Sequence, residues 1–307
     1  MPESIGPHLL GRIPSPPDER DFRAEHFVGL GQEQTGIDPV ALAKTAMSEL
    51  ALTNSVSYSR WASTKYKDVT STHWWKALAA LSQIAYPAPN PTPTPSPTPN
   101  PSPAPSGTDV VWSDKGQLDQ GQFGTCTGNG WAQWGNTDPI NDTFTEGIGQ
   151  PATKGGPYAR AIYYEATVID GKPDDPDAPG GGQQGATVRS AAKAMQARNR
   201  LSSYAKASDI ATIKQWLQTK GSVVVGTNWT KDMFTPDSKG YIAPTGAVEG
   251  GHCYLLLGDL ESEGAFYFQN SWGNGWGLNG YFKMKYADFE SLLNNGGEAW
   301  VAVELPI

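Results

Sequence analysis

Gln120-Gly-Gln-Phe-Gly-Thr-Cys126-Thr-Gly-Asn-Gly-Trp131 places a cysteine just after a glycine-containing turn and just before a stretch that reads as a helix. A thiol at a helix start feels the partial positive charge of unpaired backbone N–H groups. That charge favours thiolate over thiol and suits the site to nucleophilic chemistry. The helix is poor by propensity, because Gly128 and Gly130 each cost about 1 kcal/mol relative to Ala. Trp131 and Trp134 share one helix face and predict an anchor in a core, with the glycines admitting close neighbours.

Counting singles out the same cysteine. The chain has two cysteines, Cys126 and Cys253, and four histidines, of which only His252 lies beyond the proline-rich segment. A histidine that activates a cysteine in that half must therefore be His252. Cys253 is its direct neighbour in the apolar run Gly251-His-Cys-Tyr-Leu-Leu-Leu, which reads as a strand. Successive strand side chains point to opposite faces, so Cys253 is expected in the core and Cys126 as the nucleophile. On counting alone, two functionally unrelated residues remain the competing reading.

Two longer motifs bear on that choice. The run Asp109-Val-Val-Trp-Ser-Asp-Lys-Gly-Gln-Leu-Asp-Gln120-Gly-Gln-Phe-Gly-Thr-Cys126 resembles the start of the mature domain in papain-family cysteine peptidases. Gly251-His252-Cys253, then Gln269-Asn270-Ser271-Trp272-Gly273-Asn-Gly-Trp276-Gly-Leu-Asn-Gly280-Tyr281, resemble that family's His and Asn motifs in the family's order. The resemblance spans residues 109–307. It implies an α+β, papain-like two-subdomain fold: a helical subdomain, a β-barrel-like subdomain and a cleft between them. It implies Cys126 as nucleophile, His252 as its acid–base partner, Asn270 as the amide that orients His252, and Gln120 as the oxyanion-hole amide, with Gln122 the nearby alternative. Trp272 would shield the His–Asn bond from water and border the substrate. Gly181 and Gly182, in a Gly180–Gly182 run, would pair backbone to backbone with substrate, or else form a loop with no such role. Asp114 and Asp119 read as solvated loop charges. The resemblance implies no cofactor and no metal.

The sequence departs from the family pattern in places. Thr127 follows the cysteine where Trp is usual, and Gly251 precedes the histidine where Asn or Asp is common. With only two cysteines there is no disulfide framework, which points to a bacterial or viral type of papain relative without bridges.

The rest of the chain divides by composition. Residues 1–36, with Leu10-Gly-Arg-Ile-Pro-Ser-Pro-Pro-Asp-Glu-Arg-Asp-Phe22, read as an extended leader arm that packs across the catalytic part or forms a tail. Residues 37–85 carry helical periodicity after the Asp38-Pro39 start signal and read as a small helical N-terminal module. His73 beside Trp74 reads there as a packing or surface residue. Residues 86–107 are a proline-rich linker, with ten prolines between Pro87 and Pro105. Such a segment adopts polyproline II and reaches roughly 60 Å at about 3.1 Å per residue. Its stiffness favours holding the module away from the cleft, so the N-terminal module is expected to dock to a partner or surface. Residues 108–307 are the expected catalytic domain. Within it, helices are expected after Cys126 and over 157–170, 186–198 and 207–219. Strands are expected from Val223, over 253–257, 265–269 and 281–285, and over 299–304.

Charge and hydropathy narrow the function classes. Residues 1–106 hold 8 Lys+Arg and 9 Asp+Glu; the remainder holds 15 and 22. An acidic catalytic half repels phosphates, which argues against nucleic acid and for a protein or peptide substrate. No apolar run approaches the ~20 residues of a membrane span. The N-terminus lacks the basic start and apolar core of a secretory signal, so a cytoplasmic or virion-associated location is expected over classical secretion. The reading is a cysteine endopeptidase. The alternatives are a cysteine amidase that cleaves peptidoglycan, and a structural or adhesion protein of a virus particle or surface assembly with a vestigial peptidase domain.

Overall fold

The computed structural model describes residues 10–16, 22–23, 108–142, 146–150 and 154–304. The expectations for the helical module 37–85 and the linker 86–107 lie outside the described residues.

Helix α1 (Cys126–Gly135) is buried at every residue. A helix enclosed on all sides needs small residues where its neighbours come closest. A Cβ on Gly128 would stand 2.1 Å from the carbonyl oxygen of Ala159, in helix α2 (Gly156–Ile169), and one on Gly130 would stand 2.8 Å from Cys253 Sγ. The glycines that weaken α1 as an isolated helix therefore let it wedge between α2 and the sheet. Trp131 and Trp134 meet edge to face with ring centroids 5.5 Å apart, and Trp131 Nε1 donates to Val188 O at 2.9 Å. Losing either fully buried indole to Ala costs about 3–5 kcal/mol.

The first half continues with the short strand β4 (Ala186–Thr187) and helix α3 (Val188–Ala197). The sequence suggested a helix from Ala186. It begins two residues later because Thr187 is its N-cap, taking the N–H of Ser190 at 3.1 Å. Residues 201–207 then form strand β5 (Leu201–Ala207), and helix α4 (Ile210–Thr219) starts only after Asp209, whose carboxylate accepts the Thr212 N–H at 2.8 Å. The expected helix start at Ala207 was too early because that side-chain cap fixes the boundary.

The second half is strand-rich: β6 (Val223–Thr230), β7 (Val248–Leu260), β8 (Ala265–Gln269), β9 (Tyr281–Lys285), helix α5 (Tyr286–Asn294) and β10 (Glu298–Glu304). The sheet runs β5-β10-β6-β7-β8-β9, with antiparallel pairing throughout that run. Strand β3 (Val110–Val111) adds to β7, and β2 (Phe22–Arg23) adds parallel to β5. The two-residue strand β1 (Arg12–Ile13) pairs parallel with β4. The leader thus lies along the domain at two points. Helix α5 was not foreseen from the sequence.

Strand alternation divides the interior. Cys253, Leu255 and Leu257 face a core shared with α1, α2 and α3, whereas Tyr254 and Leu256 face a second core with Trp229, Phe268, Phe282 and Phe289. This is the period-two rule acting on one buried strand.

Two carboxylates shape the approach to β4. Asp170, just beyond α2, accepts the Thr187 N–H at 2.8 Å and the Ser190 hydroxyl at 2.6 Å. Asp174 accepts the N–H groups of Gly182, Gln183 and Gln184 at 2.7–2.8 Å and the Tyr163 hydroxyl at 2.5 Å. Burial works against the Asp174 carboxylate, but the Gln184 N–H, the Tyr163 hydroxyl and the other donors outweigh it and hold its pKa below the usual carboxylate value. We predict that Asp174→Ala lowers unfolding free energy by about 2 kcal/mol or more, since several donors lose an ionised acceptor together. Because the folded pKa is depressed, this contribution is present above the ordinary carboxylate pKa of about 4 and fades as pH falls through the lower folded value. Urea titrations at pH 7 and at pH 3 check both statements. An equal effect of the substitution at the two pH values would refute the second.

Candidate active site

Cys126 opens α1, and Thr125 before it makes no side-chain cap. The first N–H groups of the helix thus have no capping acceptor from that residue. The thiol itself is fully buried. It accepts backbone N–H groups from Cys253, the residue next to His252, and from Gly11 of the leader. Burial pushes the thiol up to about 11, and the N–H groups of Cys253 and Gly11 and the positive charge of Arg12 pull against it without winning. The expectation of a thiolate from the helix start alone is therefore not met, because burial of the thiol outweighs the N–H groups and the charge that favour its ionised form. Cys253 is also a buried free thiol, raised well above its usual value by burial first, and it sits in the core against Gly130.

His252 stands on β7 opposite Thr227 of β6. Its Nε2 is 2.8 Å from Asn270 Oδ1, and the same oxygen accepts the Ser271 backbone N–H at 2.8 Å. A backbone N–H only donates, so the Asn270 atom facing both groups is the oxygen. Nε2 of His252 must then carry a proton. Trp272 stacks on the imidazole with centroids 4.8 Å apart and 29° between planes, and Trp229 meets it edge-on at 4.9 Å. Both indoles are buried. The bond between His252 and Asn270 is enclosed by aromatic surface, which strengthens it. Trp229 was missed in the sequence. Counting alternate residues from Val223 and Val225 along β6 places it on the same face, and that count was the available signal.

Gln120 is buried and tied to the residue after Asn270. Its backbone N–H donates to Ser271 O at 2.9 Å, and its Oε1 accepts the Ser271 hydroxyl at 2.6 Å. Its Nε2 donates to Phe123 O at 2.7 Å. Gln122, the alternative amide, is exposed. Asp114 is not a solvated loop charge: it accepts from the Tyr281 hydroxyl and from Gln269 Nε2, linking the first strand region to β8 and β9. Asp119 caps its own turn by accepting the Gly121 N–H at 2.8 Å.

Gly181 and Gly182 are placed differently from the expectation. The Gly182 carbonyl accepts the Gly124 N–H at 2.7 Å, and its own N–H goes to Asp174. The Gly181 N–H goes to Ala178 O. Gly182 has both backbone groups committed within the chain, so this run builds the loop instead of offering a pairing edge. The edge that does pair with an extended segment is Ala186–Thr187, and the segment is β1 of the leader, with Ala186 N–H donating to Gly11 O at 2.8 Å.

The leader is seated closely. A Cβ on Gly11 would fall 1.8 Å from Gly124 O, and one on Gly251 would fall 2.3 Å from Arg12 O. The glycine before His252, a departure from the family pattern, is where the leader backbone passes. Leu10 packs over Gly250. Arg12 is buried, and its guanidinium donates to Glu298 Oε1 at 2.9 and 3.1 Å and to Gly296 O at 2.8 Å.

Parts of the chain are similar to known proteins. Residues 147–296 match the family model described as papain family cysteine protease. That span holds His252 and Asn270 and begins after Cys126. An uncharacterized peptidase C1-like protein of Acanthamoeba polyphaga mimivirus is 39% identical over 56 residues, 18% of each chain. A cathepsin B-like cysteine proteinase of Caenorhabditis elegans is 29% identical over 85 residues, 27% of this chain and 22% of that protein. The matched segments therefore span less than a quarter of either relative. Among solved structures, xylellain, a cysteine protease from Xylella fastidiosa, superposes with a TM-score of 0.50 at 23% identity, covering 64% of this chain and 86% of that one. The helices-then-strands order, the two cores and the superposition give a papain-like fold, and residues 147–296 match the model of the papain family of cysteine proteases.

Proposed function

We propose that this chain is a cysteine endopeptidase in which Cys126, His252, Asn270 and Gln120 act together on protein or peptide substrates. The observation that carries the reading is the enclosed 2.8 Å bond between His252 Nε2 and Asn270 Oδ1, beside a thiol that takes an N–H from the residue following that histidine. With the proton of Nε2 held by Asn270, the other ring nitrogen is the one that exchanges a proton with the thiol. Asn270 is neutral, so it orients the ring without fixing a second charge beside it.

The reaction then runs as two acyl transfers. The Cys126 sulfur, having given its proton to His252, attacks the peptide carbonyl carbon, and the carbonyl electron pair moves to oxygen. The Cys126 backbone N–H and the Gln120 amide stabilise that oxyanion. The carbon–nitrogen bond breaks, the amine leaves with the proton of His252, and a thioester remains on Cys126. Water attacks the thioester while giving a proton to His252, the carbon–sulfur bond breaks, and the sulfur recovers its proton as the carboxylic acid leaves. Residues 108–307 form the catalytic part in this reading, with residues 1–36 as leader and residues 37–85 docking a partner or surface from a stiff linker over 86–107.

Cys126→Ala and Cys126→Ser should lower turnover of casein at least about 10³-fold while the fold is kept, and Cys253→Ala should retain it. An inactive but folded Cys253→Ala would sink the assignment. Casein and cell-wall zymography on the same samples distinguish a peptidase from a peptidoglycan amidase, and silence in both favours a structural role.

The covered thiol gives a second test. Burial raises Cys126 to about 11, so its neutral form prevails up to alkaline pH. Alkylation of Cys126 by iodoacetamide in the whole chain should therefore rise only above the ordinary cysteine value of about 8.5. Gly11→Ala forces a Cβ into Gly124 O and should dislodge the leader. We expect the alkylation profile of this variant to move to lower pH, with mass spectrometry locating the label on Cys126. A profile identical to that of the parent chain would show that the leader does not control the thiol.

A further inference from the structure

Cys253 takes no part in the reaction above, yet it is placed against the residue that does. Cys126 and Cys253 are the two cysteines of the 307-residue chain. Both are free and fully buried, and both belong to the core that α1 shares with β7. The backbone N–H of Cys253 donates to the Cys126 sulfur. The Cys253 side chain lies on the same side. Residues 126 and 130 are one turn apart on α1 and share a face, and helical Cβ bonds tilt toward the N-terminus. A Cβ on Gly130 would therefore lean over the turn that carries Cys126, and there it would meet Cys253 Sγ at 2.8 Å. Glycine at position 130 is what leaves room for that sulfur. The two cysteines are separated by one side chain and one N–H···S contact. That is the scale on which a disulfide forms, about 4.4–6.8 Å between Cα atoms.

We propose that Cys253 is the resolving thiol of Cys126: when a hydroperoxide oxidises Cys126, the two residues close into a disulfide that a dithiol reductant reopens. The Cys126 sulfur takes one oxygen of hydrogen peroxide as the O–O bond breaks, giving a sulfenic acid and water. The Cys253 sulfur then attacks the Cys126 sulfur. The S–S bond forms, the S–O bond breaks, and the hydroxyl leaves as water with the Cys253 proton. The peroxide is reduced, and the two thiols are oxidised to one disulfide. Without a second thiol, the sulfenic acid goes on to sulfinic and sulfonic acids, which do not return to the thiol unaided. Burial keeps both thiols protonated while Gly11 lies against Cys126, so the step belongs to the chain with its leader displaced. The proposal rests on the peptidase reading only for the role of Cys126 in turnover; the pairing of the thiols stands on the geometry.

The test treats the full chain and its Gly11→Ala variant with hydrogen peroxide, then reads the intact mass and an unreduced peptide map. The expected product, foremost in Gly11→Ala, is lighter by two hydrogens and carries a Cys126–Cys253 link. Dithiothreitol should remove the link and restore casein turnover. Cys253→Ala, with Cys253→Ser as a second variant if the first fails to fold, should instead gain two or three oxygens on Cys126 and stay inactive after dithiothreitol. Sulfinic or sulfonic Cys126 as the main product of both parent forms overturns the proposal. So does a link between two copies of the chain, survival of both thiols in both parent forms, or recovery of Cys253→Ala equal to that of the parent. The mass does not depend on hydrolysis. A Cys126–Cys253 link in a chain that leaves casein intact supports the pair and counts against the peptidase alone. Hydrolysis of casein by a chain that never forms the link overturns the pair and leaves the peptidase standing.

Discussion

One strand has to serve two cores, and much of the architecture follows from that. In β7, Cys253, Leu255 and Leu257 point to the helical side, and Tyr254 and Leu256 point to the barrel-like side. A shift of one residue would send every side chain to the wrong core. The register is held from both edges, by eight paired positions with β6 and by five with β8. His252 sits at one end of this alternation, on the face with Trp229 and Tyr254, while the backbone of the next residue reaches the Cys126 thiol. Cys126 at the start of α1 and His252 on β7 thus come from different halves of the domain, and the strand that carries His252 is fixed on both faces. Helix α1 completes the constraint: enclosed on all sides, it can present Cys126 only where the glycine faces let α2 and β7 come close.

The parts of this arrangement that were legible in the sequence are those written in local pattern. The apolar runs at 265–269 and 281–285 became strands with those bounds, and Asp170 ends α2 as its proline and glycine context suggested. The pairing of His252 with Asn270, 18 residues apart, was readable because both stand in motifs that resemble those of a known family. What failed was of two kinds. Boundaries set by one side-chain hydrogen bond, such as Thr187 on Ser190 or Asp209 on Thr212, moved by a few residues. Interactions set by tertiary approach were not visible: glycines at 181 and 182 look like a pairing edge in sequence, yet Asp174 and Gly124 consume the backbone groups of Gly182. The same holds for the thiol. Helix-start electrostatics is a local property, but burial of the thiol in a core assembled from α1, α2, α3 and β7 is not.

That leader is held by forces of unequal size. The parallel pairing of β1 with β4 contributes a backbone bond at Ala186, worth about 1 kcal/mol net, and Leu10 adds apolar contact over Gly250. Removing one member of a buried ion pair typically costs about 3–5 kcal/mol, most of it the stranded charge, so the Arg12–Glu298 contact dominates the leader's hold. The carboxylate that receives Arg12 is itself fixed by the domain, since Trp300 Nε1 donates to Glu298 Oε2 at 2.9 Å at the start of β10, so the leader docks on a charge already held in place.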